Sequence, residues 1–250
     1  MWKTILRRIL VLIPQVFVLS LLVFILASFM PGDALTGKID TNVSPERLEE
    51  LRIKWGYYDP WYIKYVRWVS AALQGDLGES TAYKIPVTEL IGDRAANTFW
   101  LSLLTLAITY IIGISFGIIS GRFNGKPIDR AISFYTFLAL AMPSIVLGVI
   151  NIYFFSLKLN WFPMGGTVDV GIQPGTFSYI LNRIYHMLLP AITGGVLYPV
   201  GVIQILKSEI VDYKISDFVM TARSKGVPEK TIYRRHILRN AFLPTASSLG

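Results

Sequence analysis

The sequence predicts an all-α polytopic membrane protein, and three observations carry that prediction. Its 250 residues are 53% hydrophobic and only 16% charged, with a mean hydropathy of +0.50, too apolar for a domain that must cover itself with polar surface. Four stretches run uncharged for long enough to cross a hydrocarbon core of about 30 Å as helices. Basic residues gather in alternate connections between those stretches. The composition also excludes chemistry. With no cysteine there is neither a disulfide framework nor a thiolate metal site, and His186 and His236 stand too far apart in sequence to form an HxxxH pair.

The first span follows Lys3, Arg7 and Arg8 and runs uncharged from Ile9 to Gly32. A cleaved signal peptide is the rival reading, but its apolar region is about 7–15 residues and closes on small residues. This run closes on Ser28-Phe29-Met30-Pro31. The string GDALTGK at 32–38 spells most of a phosphate-binding loop, yet Ile39 replaces the magnesium-binding hydroxyl residue and a membrane helix precedes it instead of a buried strand. No ATP site is expected in this chain.

From Asp33 to Arg94 the composition turns polar, with helix starts signalled at Ser44-Pro45-Glu46 and Asp59-Pro60, a capping residue followed by proline at the first helical position. In the second of these helices Tyr62, Tyr65, Val66 and Val69 share one face beside Trp61 and Trp68. That face suits either the membrane interface, where aromatic rings are favoured, or packing within the loop.

Ala95–Gly121 is the second uncharged run. Its twelve Leu, Ile and Phe residues between Phe99 and Ile119 are worth roughly −4 to −7 kcal/mol of insertion free energy. Gly113, Gly117 and Gly121 recur every fourth residue, which lets another helix approach closely in lipid. A basic turn (Arg122, Lys126, Arg130) leads to the third run, Ala131–Leu157, interrupted at Pro143-Ser144. The fourth extends from about Met187 to Leu206 and contains Pro190, Gly194, Gly195, Pro199 and Gly201. Helix breakers at membrane depth need neighbouring helices, hydroxyls or a water-lined cavity to satisfy the freed backbone groups. Pro143, Ser144, Pro199 and Gly201 are therefore the candidates for a translocation path; kinks with no role in transport are the competing reading.

Charge orients the spans. The N-terminus, the 122–130 turn and the 207–243 loop hold 14 Lys/Arg against 5 Asp/Glu, whereas the other side holds 10 against 11. By the positive-inside rule the N-terminus and the 207–243 loop face the cytoplasm. The same asymmetry explains the net charge of +8 without nucleic acid. The chain then divides into a cytoplasmic tip with the first span (1–32), an external loop with short surface helices (33–94) and a core of further spans (95–250) that includes the cytoplasmic segment 207–244.

That segment reads as two helices joined at a corner. Val211, Ile215, Phe218, Val219 and Ala222 recur at the spacing of one buried stripe. Gly226 then follows a last turn that carries Arg223 and Lys225, and Pro228 suits the first position of a new helix. In the second helix Tyr233, Ile237, Leu238 and Ala241 make a short apolar face on which Arg234 intrudes.

Here the sequence resembles a known family. Ala222, Gly226 and the closing Leu243-Pro244 resemble the EAA loop of the membrane subunits of ABC importers. The wording TARSKG followed by RRHILRNAFLP is most similar to the dipeptide, oligopeptide and nickel permeases, as are Gly75-Asp76-Leu77-Gly78, Pro86-Val87 and Leu90-Ile91. Met220 and Thr221 stand where the general pattern has Glu and its first Ala, and the gap from Gly226 to Pro244 is long, both as in the peptide branch.

The resemblance implies a type I ABC importer permease fold in a cell (inner or plasma) membrane. Six spans are expected in the full subunit, of which this chain would hold four and, from Thr245, the start of a fifth. It implies a non-catalytic subunit with a homologous second permease, two cytoplasmic ATPase subunits that bind ATP and Mg, and an external substrate-binding protein. The ATPase would dock on Asp217, Thr221, Ala222, Arg223, Lys225, Gly226, Val227 and Pro228, and the corner would act as a lever that switches the spans between outward and inward access. The solute would be a di- or oligopeptide, or a related solute such as nickel.

Two other classes are disfavoured. An ion-coupled secondary transporter or channel commonly places Asp, Glu, Arg or His inside its spans, and the four uncharged runs have none. An intramembrane enzyme needs a nucleophile with a base or metal ligands at depth, and those runs offer Ser and Thr without His, Asp or Glu within the membrane core.

Overall fold

In lipid only a helix satisfies its own backbone polar groups, and the computed structural model follows that constraint. It describes residues 2–29, 49–50, 52–53, 56–80 and 82–247. The phosphate-loop-like string at 32–38 and the helix start at Ser44-Pro45 lie outside the described residues. Among the described residues every extended element is a helix, apart from one isolated bridge between Glu79 and Pro86. The chain separates into two compact units, Met1–Ala95 and Ala96–Gly250.

In the first unit, α1 (Trp2–Ser28) is the first predicted span, 27 residues long. The loop helix α2 (Trp61–Leu73) lies against it through Tyr65, which is buried. Phe17 and Phe24 meet the Tyr65 ring edge-on at 6.1 and 5.3 Å, and its hydroxyl is 2.8 Å from Ser20 Oγ. Trp61, Tyr62, Val66 and Trp68 remain exposed. The start of α2 differs from expectation: Pro60 is itself the residue before the first turn, and the Asp59 carboxylate accepts from Arg67 Nη2 at 2.7 Å instead of capping the helix.

The long helix α3 (Val87–Arg122) carries the second predicted span. The third is not one helix. Met142-Pro143 breaks it into α4 (Pro127–Ala141) and α5 (Ser144–Asn151), and α5 continues as a π-helical stretch Ile152–Lys158. The two halves meet at 97°. Proline offers no N–H and disfavours helical geometry in the residue before it, so the break falls where the sequence put it, but it is a sharp bend instead of a kink. Among the described residues three helical stretches, one of them Phe177–Lys214, are long and apolar enough to cross a membrane, or four if the bent pair is one span.

The fourth run is longer than predicted. Helix α6 (Phe177–Leu197) starts ten residues before Met187, and α7 (Val200–Lys214) reaches into the predicted cytoplasmic segment. Together they form an apolar helical stretch of 38 residues. The glycines of both partners set how closely it lies along α3. A Cβ added to Gly113, Gly117 or Gly121 would fall 2.8, 3.0 or 2.8 Å from the Cβ of Val202, Leu206 or Ile210. On the opposite side, a Cβ at Gly195 would fall 2.4 Å from Ile108 Cγ2. Gly194 and Gly195 are thus contact residues and not breakers. At the α6–α7 junction, where Pro199 lacks an N–H, the Tyr135 hydroxyl of α4 donates to the Val196 carbonyl, the hydroxyl partner that a broken helix at depth requires.

The remaining elements are α8 (Asp217–Ser224), the single turn α9 (Glu229–Thr231), a π-helical stretch Ile232–Ile237 and α10 (Leu238–Ser247). Their buried side chains Val219, Ala222, Ile232, Ile237 and Ala241 join Leu206 and Ile210 of α7 in one apolar cluster.

Candidate functional site

The corner forms because α8 ends on a residue that can take left-handed backbone geometry. Gly226 has φ +72°. Its N–H donates to the Arg223 carbonyl at 2.9 Å, and the Val227 N–H donates to the Ala222 carbonyl at 3.2 Å. This pair of bonds is the Schellman termination, completed by Val227 turning inward on the cluster. Pro228, just before α9 instead of inside it, then accepts from the Thr231 and Ile232 N–H groups. Arg223 Nε donates to Glu229 Oε1 at 2.6 Å across the bend. That bond raises the Arg223 pKa and lowers that of Glu229 from their ordinary values.

The expected docking residues sort by burial. Asp217, Thr221, Arg223, Lys225, Gly226 and Pro228 are exposed, whereas Ala222 is buried and Val227 half-buried against the chain's own core. The predicted continuous stripe fails at two points, Ile215 and Phe218, the latter 40% exposed. The helix ends at Lys214 and restarts after Ser216, so Ile215 is 76% exposed while Val219 and Ala222 are buried. Ser216 is extended, and Asp217 opens the new helix with a negative charge.

Beneath the corner lies a polar clasp that sequence reasoning missed. Asp129 accepts from Ser120 Oγ of α3, from the Gly125 N–H at 2.8 Å and from Lys207 Nζ of α7 at 2.5 Å. Its side chain is 7% exposed. Lys214 Nζ donates to the Gly121 and Arg122 carbonyls at 2.6 and 2.8 Å, capping α3 where its last carbonyls have no helical partner. Tyr233 donates its hydroxyl to the Ile118 carbonyl at 3.2 Å, with the Arg122 guanidinium 5.4 Å above its ring. The corner is tied to α3 through Tyr233 and to α7 through the Arg223 Nη1 bond to the Lys214 carbonyl, and the Asp129 clasp holds α3, α4 and α7 together. The only signal in the sequence was an acidic residue in an otherwise basic turn.

A cleft of about 610 Å³ opens between α3, α5 and α6. Its polar side chains are Ser102, Thr105, Thr109, Ser144, His186, Thr193 and Tyr198. Of the four path candidates, Ser144 lines this cleft and Pro143 does not. Pro199 is fully buried, and Gly201 is exposed with nothing near its Cβ position. The segment between Leu159 and Thr176 is tethered beside the cleft. Asp169 and Asn182 exchange two hydrogen bonds of 2.8 and 2.7 Å, and Tyr185 donates to the Trp161 carbonyl at 2.6 Å. His186 Nδ1 lies 3.0 Å from the Asn182 carbonyl and its Nε2 3.4 Å from Asp169 Oδ1. No group of three or more His, Cys, Asp or Glu that could hold a metal occurs among the described residues.

Comparison with known proteins agrees with this architecture. Residues 113–250 match the family model described as the binding-protein-dependent transport system inner membrane component, and residues 1–102 match the corresponding N-terminal model. The oligopeptide transport system permease protein AppB of Bacillus subtilis (strain 168) is 35% identical over 98% of this chain and 77% of its own length. The glutathione transport system permease protein GsiC of Escherichia coli (strain K12) is 29% identical over 100% of this chain and 77% of its own. The chain belongs to the binding-protein-dependent transport system inner membrane components, the permease subunits of ABC importers.

Proposed function

We propose that this chain conducts peptides across the membrane as one of two permease subunits of an ATP-driven importer, with its N-terminus and the Gly226 corner in the cytoplasm. The corner carries the reading. Its backbone is fixed by two Schellman bonds and an apolar underside, while its outer face offers Asp217, Thr221, Arg223, Lys225 and Pro228. A rigid, exposed corner bound to two membrane helices, α3 and α7, suits transmission of a push better than it suits binding a small molecule. The ATPase subunits dock there and hold the ATP and Mg, and this subunit has no catalytic role. Nucleotide biases a two-state arrangement of the spans.

The peptide class is supported by the names of the relatives and by the cleft. Hydroxyls and one imidazole on apolar walls, with no acidic or basic side chain other than that imidazole, match neutral backbone amides better than a metal ion. A solute-binding protein outside delivers the substrate. The test is purification of the chain from its own cells with whatever remains bound. ATPase subunits, a second permease and peptide-stimulated ATP hydrolysis are expected; a chain that purifies without any ATPase and still catalyses uptake would overturn the reading.

A further inference from the structure

A second concavity is an apolar groove of about 550 Å³ between α3 and α6. Leu103, Leu104 and Ala107 of α3 and Ile180, Ile184 and Met187 of α6 supply its walls. One residue does not fit that lining. Arg183 stands in the groove, half-buried, a charged side chain among apolar walls. It donates from Nη2 to Asn97 Oδ1 at 2.8 Å, a neutral partner. Its Nε is buried without any hydrogen-bond acceptor, and among the described residues no carboxylate pairs with it.

We infer that this groove binds one glycerophospholipid of the surrounding bilayer, with the phosphodiester on Arg183 and an acyl chain along the apolar walls. Three features select that occupant. Asn97, level with Arg183, lies two residues inside the uncharged run that starts at Ala95, so the guanidinium sits at the boundary between headgroups and hydrocarbon. Trp100 and Tyr179 flank it, the aromatic side chains favoured at that depth. From Trp100 to Ala107 the groove descends roughly 10 Å at about 1.5 Å per residue, which accommodates much of one acyl chain. A single cation without a carboxylate matches the single negative charge of a phosphodiester, and a guanidinium fork suits its oxygens. With the orientation proposed above the lipid belongs to the outer leaflet, but the site does not depend on that orientation or on the transported solute.

The test uses the assembled transporter and native mass spectrometry, titrating palmitoyl-oleoyl phosphatidylglycerol against dioleoylglycerol, which has the chains but no phosphate. The unmodified protein is expected to retain one phosphatidylglycerol in preference to dioleoylglycerol. Arg183→Ala should weaken that one site about tenfold, the loss of one charged hydrogen-bonding partner, and leave dioleoylglycerol unchanged. Arg183→Lys, which keeps the charge, should lose less, and Ala107→Trp should evict the lipid while Arg183 is intact. A photo-crosslinker on Leu103→Cys should capture lipid. Equal phosphatidylglycerol binding by the parent and both Arg183→Ala and Ala107→Trp would overturn the inference. So would capture of the second permease subunit from Leu103→Cys, which would make the groove a subunit interface.

Discussion

Replacing Gly226 by residues of graded backbone preference isolates the corner from everything around it. A Cβ at this position would meet nothing within 4 Å, so side-chain clashes with neighbours play no part and the penalty is that of φ +72° alone. For a non-glycine residue this costs about 1–3 kcal/mol, with alanine near the lower end and a β-branched residue at the upper. The two Schellman bonds that oppose relaxation contribute about 0.5–1.5 kcal/mol net each. Gly226→Asn should therefore be almost neutral, because asparagine tolerates this region. Gly226→Ala should strain the corner without opening it, and Gly226→Val should exceed what the two bonds can hold. The assay is retention of ATPase subunits on the purified permease, with peptide-stimulated ATP hydrolysis measured in parallel. The expected order is Gly ≈ Asn > Ala > Val, with Val at least about tenfold weaker in ATPase association, since 1.4 kcal/mol is a factor of ten. Membrane abundance should not change, because insertion depends on the apolar spans. If Gly226→Val binds ATPase and transports like the parent, the left-handed corner is not what the ATPase recognises.

Three further outcomes follow from the packing and the charge pattern. Gly195→Ala puts a methyl 2.4 Å from Ile108 Cγ2 and should destabilise the purified protein by about 1–3 kcal/mol; Ile108→Ala added to it should recover part of the loss. Equal thermal stability of Gly195→Ala and the parent would contradict the close approach of α3 and α6. Asp129→Asn leaves Lys207 without its carboxylate, and because Lys207 is 26% exposed the cost should fall at or below the low end of the roughly 3–5 kcal/mol for breaking a buried pair. The double variant Asp129→Asn with Lys207→Gln should be less destabilised than the sum of its parts, and strict additivity in a double-mutant cycle would show that the pair carries no coupling. The chain has no native cysteine, so Val170→Cys should react with an impermeant thiol reagent on intact cells and Lys230→Cys only after permeabilisation; the reverse pattern would invert the orientation.

What could be read from the sequence was whatever depends on neighbours in the chain. The corner was legible because glycine past a basic last turn, with proline two residues on, is a local backbone signal, and φ +72° at Gly226 is its consequence. The spacing of Gly113, Gly117 and Gly121 likewise marks a face before its partner is known. The fourth span was misjudged at its outer end because Arg183 ended the uncharged run, although the helix runs on through it from Phe177. The stripe through Ile215 was misread for a related reason: the period carries on across a break, since a 3.6-residue repeat counts positions and cannot see that Ser216 is extended.

On an α-helical period Arg234 falls on the apolar face of the second corner helix. The π-helical stretch inserts a residue into the turn, so Ile232, Ile237 and Ala241 are buried and Arg234 and Arg235 face outward. Nothing local announces that change of pitch. The clasp of Asp129 with Lys207 and the cleft with Ser144 and Thr193 join residues far apart in the chain, and they exist only once α3, α4, α5, α6 and α7 have taken their registers.

The central claim, that the Gly226 corner receives the ATPase, is tested most directly by photo-crosslinking from Lys225→Cys, an exposed position next to the corner, in inside-out membrane vesicles of the assembled transporter. One adduct between this chain and an ATPase subunit is expected, with a yield that changes with nucleotide and falls sharply when Gly226→Val is introduced beside it. No ATPase adduct from Lys225→Cys, in vesicles where the complex is intact and transports peptide, would contradict it.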